Sequence, residues 1–160
     1  EVPIPRNSEV EQRLKQDPAI QDVVVYATKS GIIQSSGSLE SVLLKGIDGH
    51  APQKSLRHFL KKGDWLSTSD SQYSKDLVLS TYTANQLHIH AGDSILIHFF
   101  RSDGSKTARK MRICGIYKSG IEEYDKNFAI CDIRLIQRLN KWDSTEIGGY
   151  EVVVLSLIHI

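Results

Sequence analysis

The sequence predicts an α+β domain: a mixed, mostly antiparallel sheet with short helices and an inserted strand-rich subdomain. Three observations carry this. Apolar β-branched runs such as Val23 to Tyr26 (VVVY), Val42 to Leu44 and Tyr150 to Leu155 are short and bounded by turn residues. Helical stretches fall irregularly between them, without the alternation that a doubly wound parallel sheet requires. Leu77 to Tyr117 reads as strand, short helix, tight turn, long strand, polar hairpin and strand, after which the chain returns to a last strand.

In order, Pro3 and Pro5 keep the start extended. Ser8 with Glu11 three residues on is a capping box, so a helix is expected over Ser8 to Gln16 with Val10 and Leu14 facing the core and Asp17-Pro18 ending it. Ile20 to Ala27 favours a strand. Lys29-Ser30-Gly31 and Ser35-Ser36-Gly37-Ser38 both read as turns, making Val23 to Ile47 an antiparallel meander closed by Gly46-Ile47-Asp48-Gly49. Leu56, Phe59 and Leu60 share one face of a helix that Gly63 would stop, and Thr68 to Ser74 is a polar loop.

Val78 and Leu79 begin the central unit, Tyr82 to Leu87 is its helix, and Ala91-Gly92-Asp93 is a turn, because Gly accepts positive φ and Asp caps its own backbone. Ile95 to Phe100 and Met111 to Tyr117 pair across a hairpin. Ser119 to Asp125 reads as a loop and Phe128 to Cys131 as a short strand, with a helix from about Asp132, its cap, to Lys141. The last strand, opened by Gly148-Gly149, is expected beside the N-terminal strands.

Charge excludes some functions. Lys and Arg number 20 against 19 Asp and Glu, so the field that would draw the chain to nucleic acid or an anionic membrane surface is absent. The longest apolar run, Val152 to Ile160, is well short of the roughly 20 residues that span a bilayer. The chain opens at Glu1 without a signal pattern and stops in an apolar run, giving the expectation of a domain cut from a longer protein. Cys114 and Cys131, both in apolar strands, read as buried free thiols, with a disulfide as the alternative.

Few constellations offer chemistry. His88 and His90 would share a strand face and, with Asp93 or His98, could ligate a metal, but no spacing supplies a full ligand set. Glu122, Glu123 and Asp125 are paired acids whose plain reading is a solvated loop. No nucleophile elbow, P-loop or dinucleotide fingerprint is present in the sequence. No catalytic residue, cofactor or metal is therefore assigned. Arg101, Lys106, Arg109 and Lys110 flank Ser102-Asp103-Gly104-Ser105 and give the hairpin a basic rim, read either as a guarded sheet edge or as a docking site for an acidic partner.

Taken together, Val42 to Asp48 (VLLKGID), Val78 to Phe99 (VLSTYTANQLHIHAGDSILIHF), Met111 to Asp125 (MRICGIYKSGIEEYD) and Ile147 to Val153 (IGGYEVV) resemble, in the right order and over most of the chain, the extracytoplasmic domain of the lipoprotein-releasing ABC-transporter permeases LolC and LolE, in the wider group that includes MacB and FtsX. The resemblance implies a periplasmic domain carried between the first two membrane spans of an inner-membrane permease, without a catalytic site of its own. The implied partners are a cytoplasmic ABC ATPase subunit, a second permease copy or homologue, and a lipoprotein or periplasmic chaperone. It also implies two parts, a Porter-like one over 1–62 and 145–160 and an inserted Sabre-like one over 63–144. In LolC the corresponding hairpin is longer, contains proline and hooks the chaperone, whereas Phe100 to Met111 is short and has no proline. The rival readings are a metal-dependent enzyme built on His88, His90 and Asp93 and a stand-alone protein-binding module.

Overall fold

The fold is that of a computed structural model describing residues 2–48, 54–67 and 72–154. Its elements in chain order are β1 (Ile4–Pro5), α1 (Ser8–Gln16), β2 (Ile20–Ser35), β3 (Ser38–Ile47), α2 (Lys54–Arg57), β4 (Leu60–Gly63), β5 (Asp76–Ser80), α3 (Thr81–Leu87), β6 (Ser94–Phe100), β7 (Lys106–Tyr117), α4 (Glu122–Asn127), β8 (Phe128–Asp132), α5 (Ile133–Leu139), β9 (Glu146–Ile147) and β10 (Gly149–Val154). The expected mixed α+β class is what the chain adopts. The turn residue Gly49, the loop positions 68–71 and the strand end at Leu155 lie outside the described residues.

The central sheet closes on itself. β2 pairs with β3, β3 runs parallel to β8, β8 meets β5, β5 runs parallel to β7, and β7 forms a hairpin with β6. β6 then returns to β2 through Ile32 opposite His98, Ile33 opposite Ile97 and Gln34 opposite Leu96. Every strand of this ring sends apolar side chains into one core, among them Ile33, Leu44, Leu77, Leu79, Ile97, Phe99 and Ile113, and α3 and α5 pack on the same cluster. The ring draws strands from both expected parts of the chain. β10 is added outside it on the first half of β2, as anticipated for the last strand, and β4 is added on the end of β7.

Closure explains the main departure from the sequence reading. The stretch from Ile20 to Ser35 is one strand, and Lys29-Ser30-Gly31 is no turn. A Cβ at Gly31 would lie 3.1 Å from the Ile97 side chain and 3.2 Å from that of Phe99, so this glycine admits two core side chains and does not bend the chain. The real turn is Ser36-Gly37, both at positive φ, 49° and 84°, which is the primed hairpin geometry.

Outside the ring lies a second core. Val24, Ile47, Val78, Cys114, Tyr117 and Ile130 project from strand outer faces, and Leu56, Phe59, Leu60, Trp65 and Leu66 cover them. Here the expected helix over Leu56 to Leu60 is replaced by the short α2 and by β4, because pairing Leu60 with Tyr117 satisfies backbone groups that so short a helix leaves open. Gly63, at φ 75°, ends that strand and stops no helix.

Polar contacts dock α1. Its cap is Asn7 and not Ser8: Asn7 Oδ1 accepts from the Glu9 and Val10 amides at 2.9 and 3.3 Å. Val10 is 40% exposed, so the expected apolar face is weak. Glu11 is buried, takes two hydrogen bonds from Arg6 at 2.9 and 3.0 Å and one from Tyr150 Oη at 3.1 Å, and its carboxyl is held below the usual range chiefly by Arg6. Ser119 to Asp125 is likewise not all loop. α4 begins at Glu122, and Asp125 accepts from the Ser119 amide and hydroxyl at 2.9 and 2.6 Å.

α5 starts at Ile133 under the cap Asp132, as the sequence anticipates, and ends at Leu139. It lies so close to β3 that a Cβ on Gly46 would stand 2.7 Å from Ile133 Cα. Gly46→Ala should therefore destabilise the fold by about 1–3 kcal/mol, since backbone must move to admit one methyl. Urea unfolding checks this, and an unchanged midpoint would show that α5 does not sit on β3 as described.

Candidate functional site

The rim of the β6–β7 hairpin takes shape from its turn. Arg101 N donates to Ser105 O at 2.8 Å, Gly104 sits at φ 86°, and Asp103 Oδ1 accepts from the Ser105 amide and hydroxyl at 2.8 and 2.6 Å. These bonds hold the Asp103 carboxyl below its ordinary range. Strand alternation separates the four basic residues. Lys106 stands opposite Phe100 and Lys110 opposite Leu96, and these two pairs are on the exposed face, with Phe100 59% and Leu96 39% exposed. Arg109 falls on the other face, where it donates to Thr107 Oγ1 at 2.7 Å and Ala108 O at 2.9 Å, while Arg101 belongs to the turn. The structure therefore places two of the four on one face, four residues apart along β7, each beside an exposed apolar side chain.

His88 and His90 border one cleft, with His90 Nδ1 3.9 Å from Asp93 Oδ2, while His98 lies apart on β6. His88 caps α3 in the left-handed region at φ 54°, His90 gives its amide to Asp93 Oδ2 at 2.8 Å, and His98 Nε2 meets Gln34 Oε1 at 2.8 Å. Among the described residues no three His, Cys, Asp or Glu side chains gather where they could hold a metal ion. Of the acids, Glu122 pairs with Lys126 at 2.6 Å and Asp125 serves its own turn.

Cys114 and Cys131 are both free and buried, on strands separated by β5. Burial pushes the Cys114 thiol up to about 12 and raises that of Cys131 as well.

A charge in the outer core had no place in the sequence reading. Lys45 is 2% exposed, on the same face of β3 as Ile47. Its Nζ donates to Tyr124 Oη at 3.1 Å, forms an ion pair with Glu151 of β10, and lies 5.6, 5.1 and 5.7 Å from the ring centres of Tyr26, Tyr124 and Phe128. Three aromatic faces and one carboxylate supply the negative potential that a desolvated ammonium needs. Burial, then Glu151, raises the Tyr124 phenol, and Tyr117 Oη closes the cluster by donating to Phe128 O at 2.6 Å. One side chain thus joins β3, α4 and the outermost strand. The signal was there to find: a lone lysine within VLLKGI, at an alternation position shared with Ile47.

No family model matches the chain. Solved structures it superposes on include an extracellular domain and a periplasmic region. With the extracellular domain of the noncanonic ABC-type transporter YknZ from Gram-positive bacteria the TM-score is 0.60 at 14% identity, covering 97% of this chain and 75% of that one. With the periplasmic region of MacB from Actinobacillus actinomycetemcomitans it is 0.59 at 15% identity, covering 98% and 68%. The fold is therefore shared with these two extracytoplasmic domains. The sequence is similar to the lipoprotein-releasing system transmembrane protein LolE of Haemophilus influenzae, 22% identical over 152 residues, which bears out the resemblance read from the motifs. That match covers 89% of this chain and 35% of LolE, so the chain spans about a third of that relative's length.

Two outcomes follow. Glu151→Gln leaves a buried ammonium without its counter-ion and should cost about 2 kcal/mol, whereas Lys45→Met keeps the volume and should cost less than about 1 kcal/mol; a Glu151→Gln variant as stable as Lys45→Met in urea unfolding would refute the assignment. In the native protein at pH 8 neither thiol should react quickly with a disulfide reagent, and both should react once the chain is unfolded. One rapidly labelled thiol in the folded protein would contradict the burial described.

Proposed function

We propose that the chain is the extracytoplasmic domain of an inner-membrane ABC-transporter permease, placed in the periplasm, and that it acts mechanically and without catalysis. What supports this most is a coincidence of two independent likenesses: the sequence similarity to LolE and the shared fold with the MacB and YknZ domains each cover most of the chain. The work expected of such a domain is to move as a body when a cytoplasmic ATPase closes the spans on which it is mounted, which calls for two discrete arrangements and no reactive side chain. The closed ring and the charge-linked outer core suit that role. The cargo proposed is a lipoprotein or a related export substrate, with a second permease copy or homologue completing the assembly.

The parts 1–62 with 145–160 and 63–144 enter this proposal as a division of roles and not of folding units, since the sheet runs through β3–β8 and β4–β7 pairing across them. Docking at the hairpin is proposed for Lys106 and Lys110 with Phe100 and Leu96, the chemistry of an acidic partner surface with an apolar centre.

Two experiments test the proposal. The complete open reading frame should encode one hydrophobic span before this segment and three after it; a frame with no such spans would overturn the reading. In the full-length protein in intact cells, an Asn85→Cys variant, exposed on α3, should be labelled by a membrane-impermeant maleimide. Labelling only after lysis would place the domain on the wrong side.

A further inference from the structure

We propose that the outer edge of β10, with the apolar cleft beside it, is a docking site for an extended peptide that adds to the sheet as a strand. The inference goes beyond the transport reading and does not rest on it.

The first observation is the edge. Among the described residues β10 has a ladder partner only in β2, so its other side presents backbone N–H and C=O groups. The second is a cleft of about 670 Å³, within the range of ligand sites, with Phe59, Trp65, Tyr117, Tyr124 and Ile130 in its lining. Glu151, Val152 and Val153 also line it. The cleft also takes in Gln21 of β2, beside the register shift of the β10–β2 ladder at Val153 and Val154, so it runs along this end of β10. The cleft thus borders the strand whose other side no described residue pairs.

The third observation is polar. Trp65 lies in the wall, and its indole N–H is buried without a hydrogen-bond partner among the described residues. The fourth is the rim: Ile121, 62% exposed, and Val152, 37% exposed, offer apolar surface beside the edge. The cleft's carboxylate is already matched, because Glu151 is held by Lys45.

These features specify the occupant. A small apolar molecule would fill the cleft and leave the edge unpaired. An extended peptide supplies main-chain groups to β10 and alternate apolar side chains for the cleft, which is recognition by strand addition. Because Glu151 is committed, the side chains entering the cleft are uncharged and the polar ones alternate outward.

A displayed library of random decapeptides, selected on the 160-residue chain and counter-selected on a Val152→Asp, Ile121→Asp double variant, tests this. Both positions are exposed, so the variant should keep the parent's circular dichroism. Enriched peptides should alternate apolar and polar residues. The best of them, synthesised with capped ends, should change Trp65 fluorescence saturably in a Trp142→Phe background, where Trp65 is the remaining tryptophan. The double variant should bind it about tenfold more weakly or worse. N-methylation of one alternating set of peptide residues should abolish binding, and of the other set should not, because only one set faces β10. No enrichment over the double variant, equal tolerance of both methylated sets, or saturable uptake of an apolar dye with no peptide enriched would each overturn the proposal.

Discussion

Three consecutive residues of β2, Ile32, Ile33 and Gln34, are paired on both sides, with Ser41, Glu40 and Leu39 of β3 and with His98, Ile97 and Leu96 of β6. Everything else about the molecule depends on that double pairing. It turns an open sheet into a ring, so that backbone groups which would have formed an edge are satisfied internally. It gives the apolar faces of β2, β3, β5, β6, β7 and β8 a single interior. It also requires β2 to run on through Gly31, because the interior side chains Ile97 and Phe99 occupy the space that a side chain there would need.

A ring has an outside, and here that outside is not left to water. Val24, Ile47, Val78, Cys114, Tyr117 and Ile130 form a second apolar layer under the segment from Leu56 to Leu66. The charge within that layer is unusual in its reach: Lys45 holds Glu151 of β10 while resting among Tyr26, Tyr124 and Phe128. An ion pair that takes its ammonium out of water adds little net stability over an apolar replacement, but it penalises any arrangement that leaves that buried ammonium without its partner. It therefore fixes where the outermost strand sits relative to the ring. For a domain proposed to transmit movement, a body that cannot shear internally is the property that matters.

Much of this was legible in the residues. Local signals acted locally: Asp132 capped α5, Gly92 and Gly104 made their turns, and Leu77 to Tyr117 adopted the strand, helix and hairpin order its composition dictates. The ordered motifs pointed to the relatives that the sequence and the fold then match. What could not be read was non-local. Gly31 looks like a turn residue until Ile97 and Phe99 arrive from more than sixty positions away; Leu56 to Leu60 looks helical until Tyr117 offers Leu60 a ladder partner. In the hairpin, charge count alone grouped Arg101, Lys106, Arg109 and Lys110, and only the strand register shows that Arg109 faces away from the two lysines. Lys45 was overlooked because a lysine is ordinarily a surface residue, and its burial depends on three aromatic rings from distant segments.

The central claim is that the ring opens only when the whole domain unfolds. Native-state hydrogen exchange measures this directly at the seam. The amides of Ile32 to Gln34 and Leu96 to His98 should exchange with a free energy equal to that of global unfolding in denaturant. If instead they exchange through local opening, as fast as the amides of the hairpin turn from Arg101 to Ser105, the ring is not closed and the rigid body inferred from it does not exist.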